Sequence, residues 1–334
     1  MIKVNQDDYA YAVGLIRAKE IKLLDSDRLN RMIEAPNAAD AFKVLTEAEY
    51  GYGNTENFYS FEQALAEEMK KTYALLAEIA PVSEVVEAFK RKYDYFNVKV
   101  LLKAEFSGQE TPQILTDTGI FGIEQIKRII RERDYNELSP IMIQAINDTY
   151  DTFSRMRDPQ AVDLIMDNAS YAQFVNDLNE FDSPFLHELA RIIIDITNIK
   201  MYIRARNMNK SWDFIGKLLL KGGELSEEFY FTEFDKSVEA FVDDLRQTRY
   251  GDTVKRGWEL YTEKKNISGL EKLLDDFLMR YIRQSKLITM GVEPFIAYLF
   301  AKETEIRNVR IIMTGKINRL NDDLIRERLR LGYV

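Results

Sequence analysis

Residues 94–102 read DYFNVKVLL, and the same arrangement returns as DITNIKMYI at 195–203 and as EIRNVRIIM at 305–313. Each copy has an acidic residue, Asn three positions later, then a β-branched aliphatic residue, a cation and three apolar residues. The copies lie 101 and 110 residues apart in a chain of 334 residues. This spacing indicates internal repetition, which favours a scaffold of three related segments over a conventional enzyme.

The acidic residue and the Asn of each copy share one side of a helix, where each can satisfy a polar group of a neighbouring element. A buried Asn is tolerated only when it is hydrogen-bonded, so it would fix the register of its helix. Two interpretations stay open: the polar residues lock three equivalent helix packings, which we favour, or they line a shared cavity that receives a partner. The candidate residues are Asp94, Asn97, Lys99, Asp195, Asn198, Lys200, Glu305, Asn308 and Arg310.

Apolar residues recur at three- and four-residue spacing almost throughout the chain, whereas alternating runs are scarce. Pro81 breaks one such stripe, and Ser83 can cap the helix that follows. The seven Pro and fifteen Gly punctuate these stripes rather than fill them. The sequence therefore predicts an all-α protein.

The repetition extends beyond the signature. The first and second copies are each followed by a Gly, Gly119 and Gly223, expected near the end of a short helix. Upstream of the first and third copies a Leu precedes Tyr-Gly by five residues, at Leu45 with Tyr50–Gly51 and at Leu245 with Tyr250–Gly251. These matches predict three similar helical lobes at residues 1–107, 108–210 and 211–334, and threefold pseudo-symmetry would place the signatures around one axis.

The composition is that of a soluble globular protein, with 46% hydrophobic and 30% charged residues. The lack of Cys excludes disulfides, thiolate metal sites and cysteine nucleophiles, and it suits a reducing compartment. No apolar stretch approaches the roughly 18 residues of a membrane span, so we expect a cytosolic chain that can still sit on a membrane protein. A net charge of −9 disfavours sequence-independent nucleic-acid binding.

No catalytic, cofactor or metal site is visible in the sequence. The single His, His187, cannot form a His cluster and is expected in a polar role on a helix surface or in the core. Adjacent carboxylates point in different directions on a helix, so the pairs Asp243–Asp244, Asp275–Asp276 and Asp322–Asp323 are expected on solvated faces. The basic runs at 127–133 and 326–330 are expected to form solvated cationic helix faces, with partner docking as the alternative.

Several segments together resemble a known family. The resemblance rests on residues 9–24, 95–99, 198–206, 222–225 and 293–310, and their order and spacing carry it. The chain is similar to the C subunit of the prokaryotic V-type/A-type rotary ATPases, the counterpart of the eukaryotic d subunit. The resemblance covers essentially the whole length.

This resemblance implies a funnel of three helical lobes around a pseudo-threefold axis. One copy would sit on the cytoplasmic end of the membrane proteolipid ring, receive the tip of the central shaft, and remain peripheral to the membrane. It would couple ATP hydrolysis or synthesis to H⁺ or Na⁺ transport without a catalytic residue or a cofactor of its own.

Two other functions stay open on the residues alone. The first is a general helical repeat adaptor for peptides or helical proteins, although no period of roughly 30–45 residues supports an ordinary solenoid. The second is an all-α enzyme that uses carboxylates and Tyr residues with a divalent metal.

Overall fold

The computed structural model describes residues 1–50, 58–110 and 112–334, so Gly51 of the first Tyr-Gly match lies outside the described residues. Helices dominate these ranges, and their only strands are β1 (Ile2–Lys3) and β2 (Phe181–Asp182), which pair in parallel. The all-α prediction is confirmed. Within the described ranges, no helix combines the length and the apolar character needed to cross a membrane.

The chain forms two compact units. Unit 1 comprises residues 1–4 and 82–235, and unit 2 comprises residues 5–81 and 236–334. The helices of unit 1 are α5 (Ser83–Ser107), α6 (Ile123–Glu132), α7 (Pro140–Met156), α8 (Pro159–Asn179), α9 (Pro184–Asn207), α10 (Trp212–Leu218) and α11 (Glu227–Thr232). Those of unit 2 are α1 (Ala10–Glu20), α2 (Ser26–Glu34), α3 (Ala38–Glu47), α4 (Phe61–Ile79), α12 (Val238–Asp244), α13 (Gly251–Lys264), α14 (Ser268–Arg283), α15 (Val292–Ile317) and α16 (Asp322–Arg328). The three lobes and their boundaries at 107 and 210 stay a prediction.

In unit 1, helix α8 packs against α5, α7 and α9. Apolar residues three and four positions apart on these helices face one another, and each side chain fully removed from water contributes about 1.5–3 kcal/mol. The signature of α5 takes part directly in this core. The members of the core include Tyr95, Val98, Leu102, Ile126, Ile130, Met142, Ile146, Val162 and Met166.

In unit 2, helix α15 is buried on nearly all sides because α1, α2, α3, α4, α14 and α16 all pack against it. Its residues from Val292 to Leu299 are buried around the full circumference except for Glu293, whereas Arg307, Arg310 and Thr314 leave one exposed polar stripe further along the helix. Arg17 on α1 adds polar contacts, since its Nη2 donates to the carbonyl oxygens of Ser285 at 3.0 Å and Ile288 at 2.9 Å. Helices from early and late parts of the chain thus share one core.

The three signature helices, α5, α9 and α15, end in the same way. In each, the residue eleven positions after the signature Asn adopts a left-handed backbone: Gly108 (φ 63°), Asn209 (φ 53°) and Arg319 (φ 55°). The next N–H then bonds back to the carbonyl seven positions after the Asn. These bonds are Gln109 to Ala104 at 3.1 Å, Lys210 to Ala205 at 3.0 Å and Leu320 to Gly315 at 2.9 Å. The repetition seen in the sequence is therefore also present in the backbone as a helix-ending turn.

The second and third copies remain alike beyond this turn. Helices α10 and α16 each begin fourteen positions after the Asn and span seven residues. Each is followed by a short extended segment. In the first copy the corresponding connection leads to α6 without a helix among its described residues.

The helix-ending turn predicts the effect of a substitution at Arg319. A left-handed backbone costs an L-residue about 1–2 kcal/mol, and glycine avoids this cost. Glycine also loses more backbone entropy on folding, which cancels part of the gain. Arg319→Gly should therefore raise the free energy of unfolding by about 0.5–1 kcal/mol. Urea denaturation measures this change. The matched variant Gly108→Ala should lower the same quantity, and the explanation fails if both substitutions shift stability in one direction.

Candidate functional site

Each signature Asn is buried and holds both backbone polar groups of a single residue in the segment downstream. The Asn Nδ2 donates to a backbone carbonyl, and its Oδ1 accepts from the N–H of the same residue. The pairs are Asn97 with Thr116 (2.8 and 3.0 Å), Asn198 with Leu220 (2.9 and 2.8 Å) and Asn308 with Arg330 (2.9 and 2.8 Å). The carboxamide thus acts as the neighbouring strand would in a sheet. We call this arrangement the Asn clamp.

The Asn clamp satisfies two backbone groups at once. If the carboxamide were removed, the N–H and the C=O of the clamped residue would lose their partners, which costs about 1–3 kcal/mol for each group that is left buried and unsatisfied. A slip of the segment by one residue would break both bonds together. Each Asn clamp therefore fixes the register of a connecting segment against its signature helix.

In the first two copies, the acidic residue holds the next part of the same segment. Asp94 accepts from the N–H groups of Ile120 at 3.0 Å and Phe121 at 3.2 Å. Asp195 accepts from the N–H groups of Glu224 at 3.0 Å and Leu225 at 3.1 Å. Both carboxylates are buried, and a carboxylate shared by two consecutive N–H groups is a strong, charge-assisted arrangement.

The Gly found after each of these copies makes room for the carboxylate. A Cβ on Gly119 would lie 2.1 Å from Asp94 Oδ1, and one on Gly223 would lie 2.1 Å from Asp195 Oδ1. Gly119 lies in the turn before α6 and Gly223 in the bend after α10, rather than within helices. Close approach to the carboxylate accounts for glycine at both positions.

In the third copy, the acidic residue is Glu305 and it binds a different part of the chain. Its carboxylate accepts from the N–H of Leu24 and the hydroxyl of Tyr50, and it pairs with Lys302 Nζ at 2.6 Å. Lys302 also contacts Glu68 Oε1 at 2.6 Å. Glu305 is buried in unit 2, and its side chain is longer than that of Asp. It thus attaches two segments to helix α15: the one before α2 and the one after α3.

The charges in this cluster support one another. Burial acts to lower the pKa of Lys302, but the Glu305 and Glu68 carboxylates outweigh it and the pKa is raised. Burial and the nearby Glu305 hold the pKa of the Tyr50 hydroxyl well above its ordinary value. Lys302 is therefore a cation and Tyr50 a neutral donor near pH 7.

The segment held by Asn308 is also bound by two carboxylates, and both of them belong to α14. Asp276 Oδ1 accepts from the N–H of Leu331 at 2.6 Å, and Asp275 Oδ2 lies 2.8 Å from Arg330 Nε. The expectation that Asp275–Asp276 forms a solvated face is wrong, because Asp276 is only 8% exposed and both side chains have partners. Sequence reasoning named this pair but missed its structural role, since both residues stand outside the repeated signature.

The signature cations lie nearer the surface than the Asn and the carboxylates. Lys99 Nζ is 2.6 Å from Asp167 on α8, and Arg310 Nε is 2.9 Å from Glu62 on α4. Lys200 is half-buried on α9. The first and third cations therefore tether a signature helix to a neighbouring helix of the same unit.

Other singled-out residues also bind within the chain. A ring nitrogen of His187 lies 2.7 Å from the carbonyl oxygen of Phe181, which is a polar role at the start of α9. Five cations of the basic runs pair with carboxylates: Lys127 with Glu124, Arg128 with Glu137, Arg131 with Glu132, Arg133 with Glu105 and Arg326 with Glu34. Among the residues that the structure describes, no three His, Asp or Glu side chains are grouped as metal ligands. The signature geometry favours the structural interpretation.

The close approach at Gly119 predicts a large effect from a single methyl group. Gly119→Ala should displace Asp94 from two N–H groups and lower the free energy of unfolding by at least about 2 kcal/mol, measured in urea. Gly122 lies three residues away, and a Cβ there would meet nothing within 4 Å. Gly122→Ala should cost less than about 1 kcal/mol. Equal losses would show that any added methyl in this turn is harmful.

Asp94 also predicts a pH dependence. Burial raises the pKa of its carboxyl to about 6, against the opposing effect of the Ile120 and Phe121 N–H groups. The folded chain then binds a proton more tightly than the unfolded chain, so the contribution of Asp94 to stability falls as pH rises from about 4 to about 6. The destabilisation caused by Asp94→Asn, measured in urea, should shrink across this window by at most about 3 kcal/mol. A cost that stays constant or grows with pH would contradict this assignment.

Comparison with known proteins identifies the family. The chain matches the ATP synthase (C/AC39) subunit family over residues 12–328. It is 26% identical to the C subunit of the V-type sodium ATPase of Enterococcus hirae, over 96% of this chain and 97% of that protein. It is 27% identical to the C subunit of the A-type ATP synthase of Methanocaldococcus jannaschii (96% and 86%) and 26% identical to that of Methanosarcina acetivorans (98% and 94%). The resemblance inferred from the sequence is thereby confirmed, and this chain belongs to the ATP synthase (C/AC39) subunit family.

Proposed function

We propose that this chain is a non-catalytic central-stalk subunit of a V/A-type rotary ATPase. It acts as a socket that joins the central shaft to the membrane proteolipid ring, and so couples ATP hydrolysis or synthesis to H⁺ or Na⁺ transport. Membership of the family supports the ATPase part, and relatives matched over 97% and 86% of their own length are named as C subunits of such complexes.

The observation that carries the socket role is the threefold occurrence of the Asn clamp. A part that transmits torque must resist sliding between its helices and their connecting segments. Each Asn clamp opposes such sliding, because the buried Asn97, Asn198 and Asn308 each hold the N–H and the C=O of one residue in the connecting segment. Hydrogen-bonded polar groups in a close-packed interior have one low-energy arrangement, which supports a stiff element.

The use of the signature carboxylates supports a non-catalytic role. Asp94 and Asp195 each accept from two backbone N–H groups, and Glu305 is bonded to Lys302 and Tyr50. These carboxylates are therefore engaged in holding the chain, where a general acid or base must reach a substrate.

The partners in this proposal are the shaft subunits and the proteolipid ring. One copy of the chain per complex lies at the cytoplasmic face of the membrane, held there through the ring rather than by insertion into lipid. Nucleic acid is not a partner of this acidic chain.

Native mass spectrometry tests this function. The tagged chain is purified gently from detergent-solubilised membranes, and the expected species contains one copy of it together with shaft subunits and a proteolipid ring. A parallel purification through a tagged catalytic subunit shows whether the ATPase stayed intact. A free monomer of this chain beside an intact ATPase that lacks it would overturn the proposal and favour the helical adaptor.

A further inference from the structure

A second feature of unit 1, separate from the Asn clamps, is an acidic aromatic segment. Residues 226–235 read SEEFYFTEFD, and residues 224–235 hold five carboxylates and neither Lys nor Arg. The whole chain has a net charge of −9, so this short segment accounts for much of the excess. It includes α11, whose sequence combines acidic and aromatic residues.

The aromatic side chains of this segment form a surface with α10. Phe231 on α11 is 56% exposed, and its ring centroid lies 5.1 Å from that of Trp212 in an edge-to-face arrangement. Trp212 is also 5.8 Å from Phe234, and both of these rings are half-buried. A large aromatic ring that stays this exposed beside other rings is a common feature of protein interaction sites.

Two carboxylates lie beside the exposed ring. Glu227 and Glu228 precede Phe231 by four and three residues on α11, which places all three on one side of that helix. Both carboxylates are exposed, and within the described residues neither makes a salt bridge.

Two cations of the helices that precede α11 are engaged elsewhere. The guanidinium of Arg206 lies over the ring of Phe234 at 4.9 Å and donates to the carbonyl oxygen of Glu233 at 3.3 Å. Lys217 pairs with Asp213 at 3.1 Å. Neither of these cations neutralises Glu227 or Glu228, and the charge of these exposed carboxylates is presented to solvent.

We propose that Trp212, Phe231, Glu227 and Glu228 form a docking surface, the acidic aromatic surface, for a cationic amphipathic helix of a partner protein. Apolar side chains of the partner cover Phe231 and Trp212, and its Lys or Arg residues pair with the two carboxylates. Aromatic anchors beside unpaired charges are the groups that carry affinity and specificity at interfaces. The inference goes beyond the proposed function and does not depend on it.

The geometry of α11 argues for a helix as the occupant. The carboxylates and Phe231 are separated by one helical turn, and a helix with a cation one turn from a large apolar residue presents the complementary spacing. The negative charge disfavours the two anionic alternatives, a nucleic acid and an acidic lipid surface.

The full chain offers a direct spectroscopic test, because it contains only two Trp residues. Trp258 is buried, so Trp258→Phe leaves Trp212 as the single reporter on the proposed surface. An 18-residue amphipathic helix made of Leu and Lys is titrated into this variant. We expect saturable binding with a blue shift of Trp212 emission, and a loss of affinity of at least about tenfold in Phe231→Ala.

Matched variants separate docking from general attraction to an acidic protein. Glu227→Lys/Glu228→Lys should weaken binding at least about tenfold. Glu259→Lys/Glu263→Lys makes the same change in net charge on exposed positions of α13 and should leave affinity within about twofold. Circular dichroism confirms that each variant is folded. Equal losses in the two charge variants, an unchanged affinity in Phe231→Ala, or an unmoved Trp212 emission would each overturn the proposal.

Discussion

Much of this fold depends on the paired hydrogen bonds between a buried asparagine side chain and the backbone N–H and C=O of one residue. The bonds occur in three places, at Asn97, Asn198 and Asn308, each time between a long helix and the segment that follows it. A carboxamide, found only in Asn and Gln, is a neutral side-chain group that can donate to a carbonyl and accept from the N–H of the same residue. The helices around it can then be apolar, because the polar groups of the connecting segment already have partners.

The third copy shows how a repeated arrangement can keep one part and change another. Its Asn is used as in the other copies, whereas its acidic residue, Glu305, binds Tyr50 and Lys302. The buried carboxylate of Glu305 needs the Lys302 cation, since a buried carboxylate without a partner is costly. Asp276 on α14 takes over the contact with the downstream N–H. The same requirements are thus met by residues from different parts of the chain.

The sequence was sufficient to predict the all-α class, the three signatures and the polar role of His187, because helical periodicity and spacing are local properties. It also drew attention to Gly119 and Gly223, although only the structure shows the carboxylate lying against each of them. The partners of the signature residues could not be predicted, since they lie in irregular segments whose path depends on the whole unit. Asp276 shows the same limit, because its neighbour in the sequence is a second Asp and its partner, Leu331, is 55 residues away.

The arrangement of α15 has a consequence for the order of events during synthesis. Tyr50 and Glu305 are 255 residues apart in the chain, although they touch in the folded protein. At the usual speeds of translation, of about 5–20 residues per second, the early helices are made roughly 10–50 seconds before their central partner emerges. Residues 82–235 include all but the first few residues of unit 1 and can pack during that interval. During that interval the apolar faces of α1 to α4 that pack against α15 in the folded protein remain exposed to solvent. This part of the nascent chain is therefore the one that most needs protection from aggregation.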